Sequence, residues 1–132
     1  MYQKLQTFLK ENKANFTIKY DSEREDNNYT VVLFDTKEGV SICSGDANSI
    51  DILEKKITET LSINIEFNEI NRLFYLVEDG LSHTKVNYFI IGIYQVKDSL
   101  EYRISIFGES IDTRESFCSF EELERFIKKN YE

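Results

Sequence analysis

The longest β-strand pattern in this chain is KVNYFIIGIYQVKDSLEYRISIF, residues 85–107. Residues 85–96 and 101–107 are rich in β-branched and aromatic side chains, and the polar segment 97–100 separates them. Two such runs around a short polar segment are typical of a β-hairpin. The stretch therefore predicts a long antiparallel hairpin.

The first half of the chain predicts a meander of three further strands. These strands cover residues 16–20, 29–34 and 40–43. The polar segment 21–28 predicts the first hairpin loop, and the segment 35–39 predicts a tight turn in which Gly39 can adopt a positive φ.

Three helices are predicted around these strands. Apolar residues recur at helical spacing near the N-terminus, over residues 50–61 and over residues 120–131. The N-terminal set is Tyr2, Leu5, Phe8 and Leu9. Ser49 is a candidate N-cap for the second helix, and the last helix opens with the capping box Ser119-Phe-Glu-Glu122.

Residues 63–67 and 72–78 complete the predicted strands. The second of these segments is apolar on both faces, which favours a central strand. The predicted order is α-βββ-α-ββββ-α in a single domain over residues 1–132. Short connections between the elements favour an α+β fold, in which an antiparallel sheet carries its helices on one face.

The composition predicts a soluble, cytoplasmic domain. With 132 residues, of which 41% are apolar, the chain can form a packed core without a metal or a disulfide. Cys43 and Cys118 stand far apart among apolar neighbours, so we expect two buried free thiols in a reducing compartment. No apolar leader follows Met1, and the longest apolar run, residues 88–94, is too short to span a membrane.

The charge of the chain is acidic and unevenly distributed. The net charge is −8, and residues 21–84 alone hold fourteen acids and five bases. Such a chain repels nucleic-acid phosphates and anionic lipid, whereas it attracts a basic protein. We therefore expect a protein partner with a basic surface and no direct contact with nucleic acid or membrane.

The residue types that build catalytic and metal sites do not cluster in this sequence. His83, the sole histidine, stands in a polar loop and has no nucleophile beside it in a known motif. The five glycines stand singly, so the sequence has no phosphate-binding loop. The acidic run 21–26 lacks the glycine of a calcium loop, because Asp26 stands at that position. We expect no enzymatic activity, no metal and no cofactor.

The acidic run is either a solvated hairpin loop or an anionic contact patch. Loop side chains reach a partner without disturbing the core, and tyrosines are common interface anchors. The predicted partner-binding residues are Asp21, Glu23, Glu25, Asp26, Glu78 and Asp79, with Tyr20 and Tyr29 beside them.

In size, acidity and Asn/Lys/Ile-rich composition, the chain resembles two groups of small bacterial and phage proteins. These are the immunity proteins, which neutralise a toxin, and the anti-defence inhibitors, including anti-CRISPR proteins, which block a host nuclease. The resemblance implies a stoichiometric inhibitor of a basic nucleic-acid-handling protein. The alternative is a non-catalytic structural or regulatory domain that associates with itself or with a neighbouring protein, for example through a sheet edge.

Overall fold

The computed structural model describes the backbone of residues 2–132 and the side chains of residues 5–65 and 67–132. Helices and strands alternate along this part of the chain. In order they are β1 (Tyr2–Lys4), α1 (Leu5–Asn12), β2 (Ala14–Asp21), β3 (Tyr29–Asp35), β4 (Ser41–Ala47), α2 (Ile50–Leu61), β5 (Asn64–Glu66), α3 (Asn68–Gly80), β6 (Val86–Val96), β7 (Ser99–Gly108), β8 (Asp112–Phe117) and α4 (Phe120–Tyr131).

Six of the strands form one antiparallel sheet, in the order β4-β3-β2-β6-β7-β8. The meander β2–β4 joins the meander β6–β8 because β2 pairs with β6. Strands β1 and β5 form a separate, short parallel pair. The helices lie on one face of the six-stranded sheet, so the predicted α+β class is confirmed.

The strand register places apolar side chains together on the face that the helices cover. Phe16 of β2 lies between Leu33 of β3 and Ile93 of β6, and all three are fully buried. Side chains alternate between the two faces of a sheet, so every second residue of these strands enters the core. The opposite face carries no helix, and we call it the open face.

Residues 72–78, predicted as a central strand, belong instead to helix α3. The buried apolar residues of this helix are Ile70, Leu73, Phe74 and Val77, at helical spacing. A segment that is apolar at nearly every position fits a buried strand and a buried helix equally well. Burial against the sheet selects the helix here.

Three smaller corrections concern the ends and the edges of the sheets. Tyr2, expected in the N-terminal helix, lies in β1. The strand predicted over residues 40–43 continues as β4 through Ser44-Gly-Asp, where we expected a break, to Ala47. The sequence does not predict β8, because the residues DTRESF are mostly polar and form an edge strand.

Candidate functional site

The loops predicted to bind a partner meet at one end of the six-stranded sheet. We call this region the acidic end and define it as residues 21–26 and 78–79. Asp21 ends β2, and residues 22–26 belong to the connection between β2 and β3. Glu78 and Asp79, which we expected in a loop, belong instead to the last turn of α3. The Tyr29 hydroxyl donates a hydrogen bond of 2.5 Å to the Glu78 carboxylate, and this bond ties the start of β3 to the end of α3.

Four aromatic rings form the floor of the acidic end. The centroid of Tyr20 lies 5.2 Å from that of Tyr29 and 5.5 Å from that of Phe89. Phe74 of α3 lies 4.6 Å from Phe89 by the same measure. Both phenylalanines are buried and both tyrosines are half-buried. The tyrosines are therefore firmly packed groups at the boundary between core and solvent.

A cleft of about 280 Å³ opens beside these rings. Its wall includes Tyr20, Ser22, Glu78, Asp79, Ser82 and Thr84. The cleft therefore combines an aromatic surface, two carboxylates and several hydroxyl groups. A cation with an apolar stem, such as a lysine or arginine side chain, matches this combination of groups.

Hydrogen bonds within the chain hold the loop between β2 and β3 in place. Asp21 accepts a bond of 3.0 Å from the Glu23 amide and closes a tight turn. The Asn27 backbone amide donates a hydrogen bond of 2.6 Å to the side-chain oxygen of Asn48, which follows β4. Asn27 itself adopts the left-handed conformation, with φ of 51°, which asparagine tolerates well. The loop therefore presents its acids from a defined backbone.

The structure divides the predicted acids into two groups. Asp21 lies 3.9 Å from the Lys19 ammonium and 3.7 Å from the Arg24 guanidinium, and Glu78 accepts the bond from Tyr29. Four exposed carboxylates have no hydrogen bond or ion pair with any described residue: Glu23, Glu25, Asp26 and Asp79. These four are the groups that remain available to a partner.

The electrostatics of the acidic end oppose the stability of helix α3. The carbonyl end of a helix carries a partial negative charge, so acids there are unfavourable by roughly 0.3–1 kcal/mol each. Glu78 and Asp79 occupy this end, and the last turn of α3 holds no basic residue.

Burial and the Glu78 carboxylate also raise the pKa of Tyr29 well above its usual range.

The C-terminal ends of two helices converge close to this region. Gly80, the last residue of α3, touches the backbone of Tyr131 at the end of α4. A Cβ atom on Gly80 would lie only 2.5 Å from the Tyr131 carbonyl oxygen. Glycine is therefore the residue that permits this approach.

The open face carries three copies of one side-chain pattern. Each consists of a cation, an acid two residues away on the same strand, and an aromatic ring on the neighbouring strand. They are Lys19–Asp21–Tyr88, Arg103–Glu101–Tyr94 and Arg114–Asp112–Phe107. The cations lie 4.2–4.9 Å from the ring centroids and cover the rings. Because each cation also pairs with an acid, the three patterns add no net positive charge.

The histidine and the two cysteines differ in their exposure to solvent. His83 is exposed, Cys43 is buried, and Cys118 is exposed, contrary to our expectation that both thiols are buried. Among the described side chains, those of residues 5–65 and 67–132, histidine, cysteine and acidic residues form no group of three that would hold a metal. The same part of the chain has no helix with the length and apolarity that crossing a membrane requires.

A larger, shallow cavity of about 680 Å³ lies between α1, α3 and the start of α4. An ion pair between Arg72 and Glu124 occupies its wall, and Ser119 at its rim already caps α4. Arg72 and Glu124 thus join α3 to α4 at this wall.

Sequence reasoning found the acids and tyrosines of the acidic end but not the other residues of the cleft. Ser82 and Thr84 reach the cleft only because α3 is a helix that ends beside β2 and β6. No local pattern in the sequence predicts that these two residues line a cleft.

No known protein family, characterised protein or solved structure shows a significant similarity to this chain.

Proposed function

We propose that this chain is a protein-binding module that inhibits a basic nucleic-acid-handling protein, such as a toxin or a nuclease. In this proposal the acidic end covers a basic surface of the partner. One observation carries the proposal: the exposed, unpaired carboxylates of Glu23, Glu25, Asp26 and Asp79 lie at the same end of the sheet as a cleft lined by Tyr20, on a backbone that hydrogen bonds hold in place.

The acidic end offers two kinds of contact to such a partner. Glu23, Glu25 and Asp26 supply charge, which speeds association with a basic surface and selects against acidic ones. Tyr20 and the cleft supply an aromatic pocket, where a lysine or arginine side chain of the partner can bury its stem. Charge thus guides the encounter and the cleft holds the complex.

The position of Asp79 also supports a binding role. This acid lies at the carbonyl end of α3, where it opposes helix stability, and it makes no ion pair within the described residues. A residue that lowers stability without an internal partner is typical of a functional site.

The open face favours a protein over nucleic acid as the partner. Single-stranded nucleic acid binds to aromatic platforms that carry unpaired cations along the phosphate backbone. The cations of the open face are paired with acids, and the whole chain has a net charge of −8. The inhibitory role follows from the resemblance in size and acidity to immunity and anti-defence proteins.

A charge-reversal experiment tests the proposal. The test variant carries Glu23→Lys and Glu25→Lys, and the control carries Glu38→Lys and Asp98→Lys in exposed turns at the opposite end of the sheet. Both change the net charge by the same amount. Each bait captures proteins from a cell lysate, and the association rate of the recovered protein is then measured at low and high salt.

We expect wild type and control to recover the same basic protein, and the test variant to lose it or bind it more slowly. The loss is a few kcal/mol if the ion pairs are desolvated and under about 1 kcal/mol if they lie at the rim. The captured protein is expected to lose its activity on nucleic acid at a one-to-one ratio. Equal association rates for all three baits would exclude the acidic end as the interface.

A further inference from the structure

The two edge strands of the six-stranded sheet differ in their protection against pairing. An edge strand has backbone amides and carbonyls that can pair with another strand, and proteins usually protect it with charged side chains. Edge strand β8 carries Asp112, Arg114 and Glu115, all exposed. Edge strand β4 and the turn before it have no charged residue between Gly39 and Gly45.

Strand β4 also exposes apolar side chains. Val40, just before the strand, is 57% exposed, and Ile42 within it is 40% exposed. The pairing with β3 is irregular here: Cys43 pairs with Leu33 and Ser41 with Phe34, so Ile42 has no residue opposite it. Such bulges often protect an edge. This bulge instead presents an isoleucine to solvent.

Helix α2, which packs against β4, also exposes an apolar side chain. One flank of α2 faces the interior of the helix layer, because Glu54 accepts a hydrogen bond of 2.9 Å from the Phe67 amide. The other flank carries Ile52, which is 54% exposed, and Lys56, whose side chain lies against Gly45 of β4. Exposed apolar side chains thus occur both at the sheet edge and on the neighbouring helix, and Lys56 lies where the helix meets Gly45.

We propose that β4 pairs antiparallel with β4 of a second copy of this chain. This inference does not depend on the acidic end or on its partner. Antiparallel pairing of two identical edges generates a two-fold axis perpendicular to the sheet, so each strand meets the same surface that it presents. Both helix layers then lie on the same side, and the two α2 helices flank the junction.

The charge distribution favours a second copy as the occupant of this edge. A two-fold axis brings identical residues close together, so charged residues near the axis would repel each other. Strand β4 has no charged residue from Ser41 to Gly45, which favours self-pairing. The C-terminal end of β4 lies at the acidic end, since Asp46 is 3.3 Å from Arg24. Antiparallel pairing therefore places the two acidic ends at opposite ends of the junction.

The separation of the acidic ends limits the repulsion between two chains of net charge −8. Strand β4 has seven residues, which at ~3.4 Å each extend over about 24 Å. Charges this far apart are largely screened, because the Debye length is about 8 Å at physiological salt. One strand and one helix flank from each copy form a small interface, so the dimer is weak and reversible.

Sedimentation equilibrium over a concentration series tests the proposal. The average mass is expected to rise from 15.6 kDa at low micromolar concentration towards twice that value near millimolar concentration. Ile42→Lys adds a charge beside the axis and should weaken the dimer at least tenfold. The matched control, Ser116→Lys, adds the same charge to exposed strand β8 and should dimerise like wild type.

Hydrogen exchange at low and high concentration locates the interface independently. Slower exchange with increasing concentration is expected for the amides of β4 and not for those of β8. Val40→Lys serves as a second test variant if Ile42→Lys disturbs the bulge. A chain that stays monomeric throughout the series, a dimer that Ser116→Lys weakens as much as Ile42→Lys does, or protection confined to other strands would overturn the proposal.

Discussion

Helix α4 carries local helix signals at both of its ends, whereas the ends of helix α3 carry few. Ser119 caps α4 by accepting a bond of 3.2 Å from the Glu122 amide, and Glu122 accepts one of 3.0 Å from the Cys118 amide. Acids occupy the first turn of α4 and lysines its last. Helix α3 begins after Phe67 without a side-chain cap and ends with two acids.

Helix α3, whose ends carry fewer local signals, buries more apolar side chains than helix α4. Four apolar side chains of α3 are buried, and Phe74 packs within the aromatic floor of the acidic end. Only Leu123 and Ile127 of α4 are fully buried. Short helices are marginal in water without local signals, so α3 depends on the sheet for its stability. Tertiary packing therefore outweighs local sequence at the centre of this fold.

The largest effect is expected when the packing of α3 is removed. Phe74→Ala deletes a fully buried ring and should lower the free energy of unfolding by about 3–5 kcal/mol. Phe126→Ala removes a half-buried ring from α4 and should cost about 1–2 kcal/mol. Urea titrations followed by circular dichroism measure both. Equal losses would mean that α3 is no more dependent on packing than α4.

A smaller effect is expected when the cap of α4 is removed. Ser119→Ala eliminates the hydrogen bond to the Glu122 amide and should cost about 1 kcal/mol. Ser49→Ala in α2 is the matched control, because its bond to the Ile52 amide is longer, at 3.4 Å, and should contribute less. Thermal unfolding of the two variants ranks the caps. A neutral Ser119→Ala would show that α4 also forms through packing alone.

The smallest effect concerns charge at the helix ends, and it links stability to binding. Asp79→Lys replaces an acid at the carbonyl end of α3 and should raise the free energy of unfolding by about 0.3–1 kcal/mol. Lys129→Glu in the last turn of α4 should lower it by a similar amount. Chemical denaturation at low salt measures both changes. If Asp79 serves binding, the stabilised Asp79→Lys variant should also bind the partner more weakly.

The sequence predicted the parts of the fold whose signals are local. The hairpin over residues 85–107, the loop 21–28 and the cap at Ser119 each depend on neighbouring residues, and the structure contains all three. Helix α3 was predicted as a strand because the continuous apolar run 73–77 fits either structure. The helical spacing becomes visible only when Ile70, two residues before the predicted strand, is counted with Leu73, Phe74 and Val77.

The candidate site was predictable in its charges but not in its geometry. Glu23 and Glu25 stand in a run of polar residues, and such a run predicts an exposed loop. The bond between Tyr29 and Glu78 joins residues 49 positions apart, and it exists because α3 ends beside the start of β3. A strand over residues 72–78 would give no reason to expect this contact.

The contact of Gly80 with Tyr131 adds a property to the acidic end that its carboxylates do not supply. Each helix end carries roughly half of a negative charge on backbone carbonyls, and these groups do not titrate. The convergence of α3 and α4 therefore adds a negative potential that does not titrate, opposed on the α4 side by Lys128 and Lys129. This part of the attraction for a cation should depend on the approach that Gly80 permits.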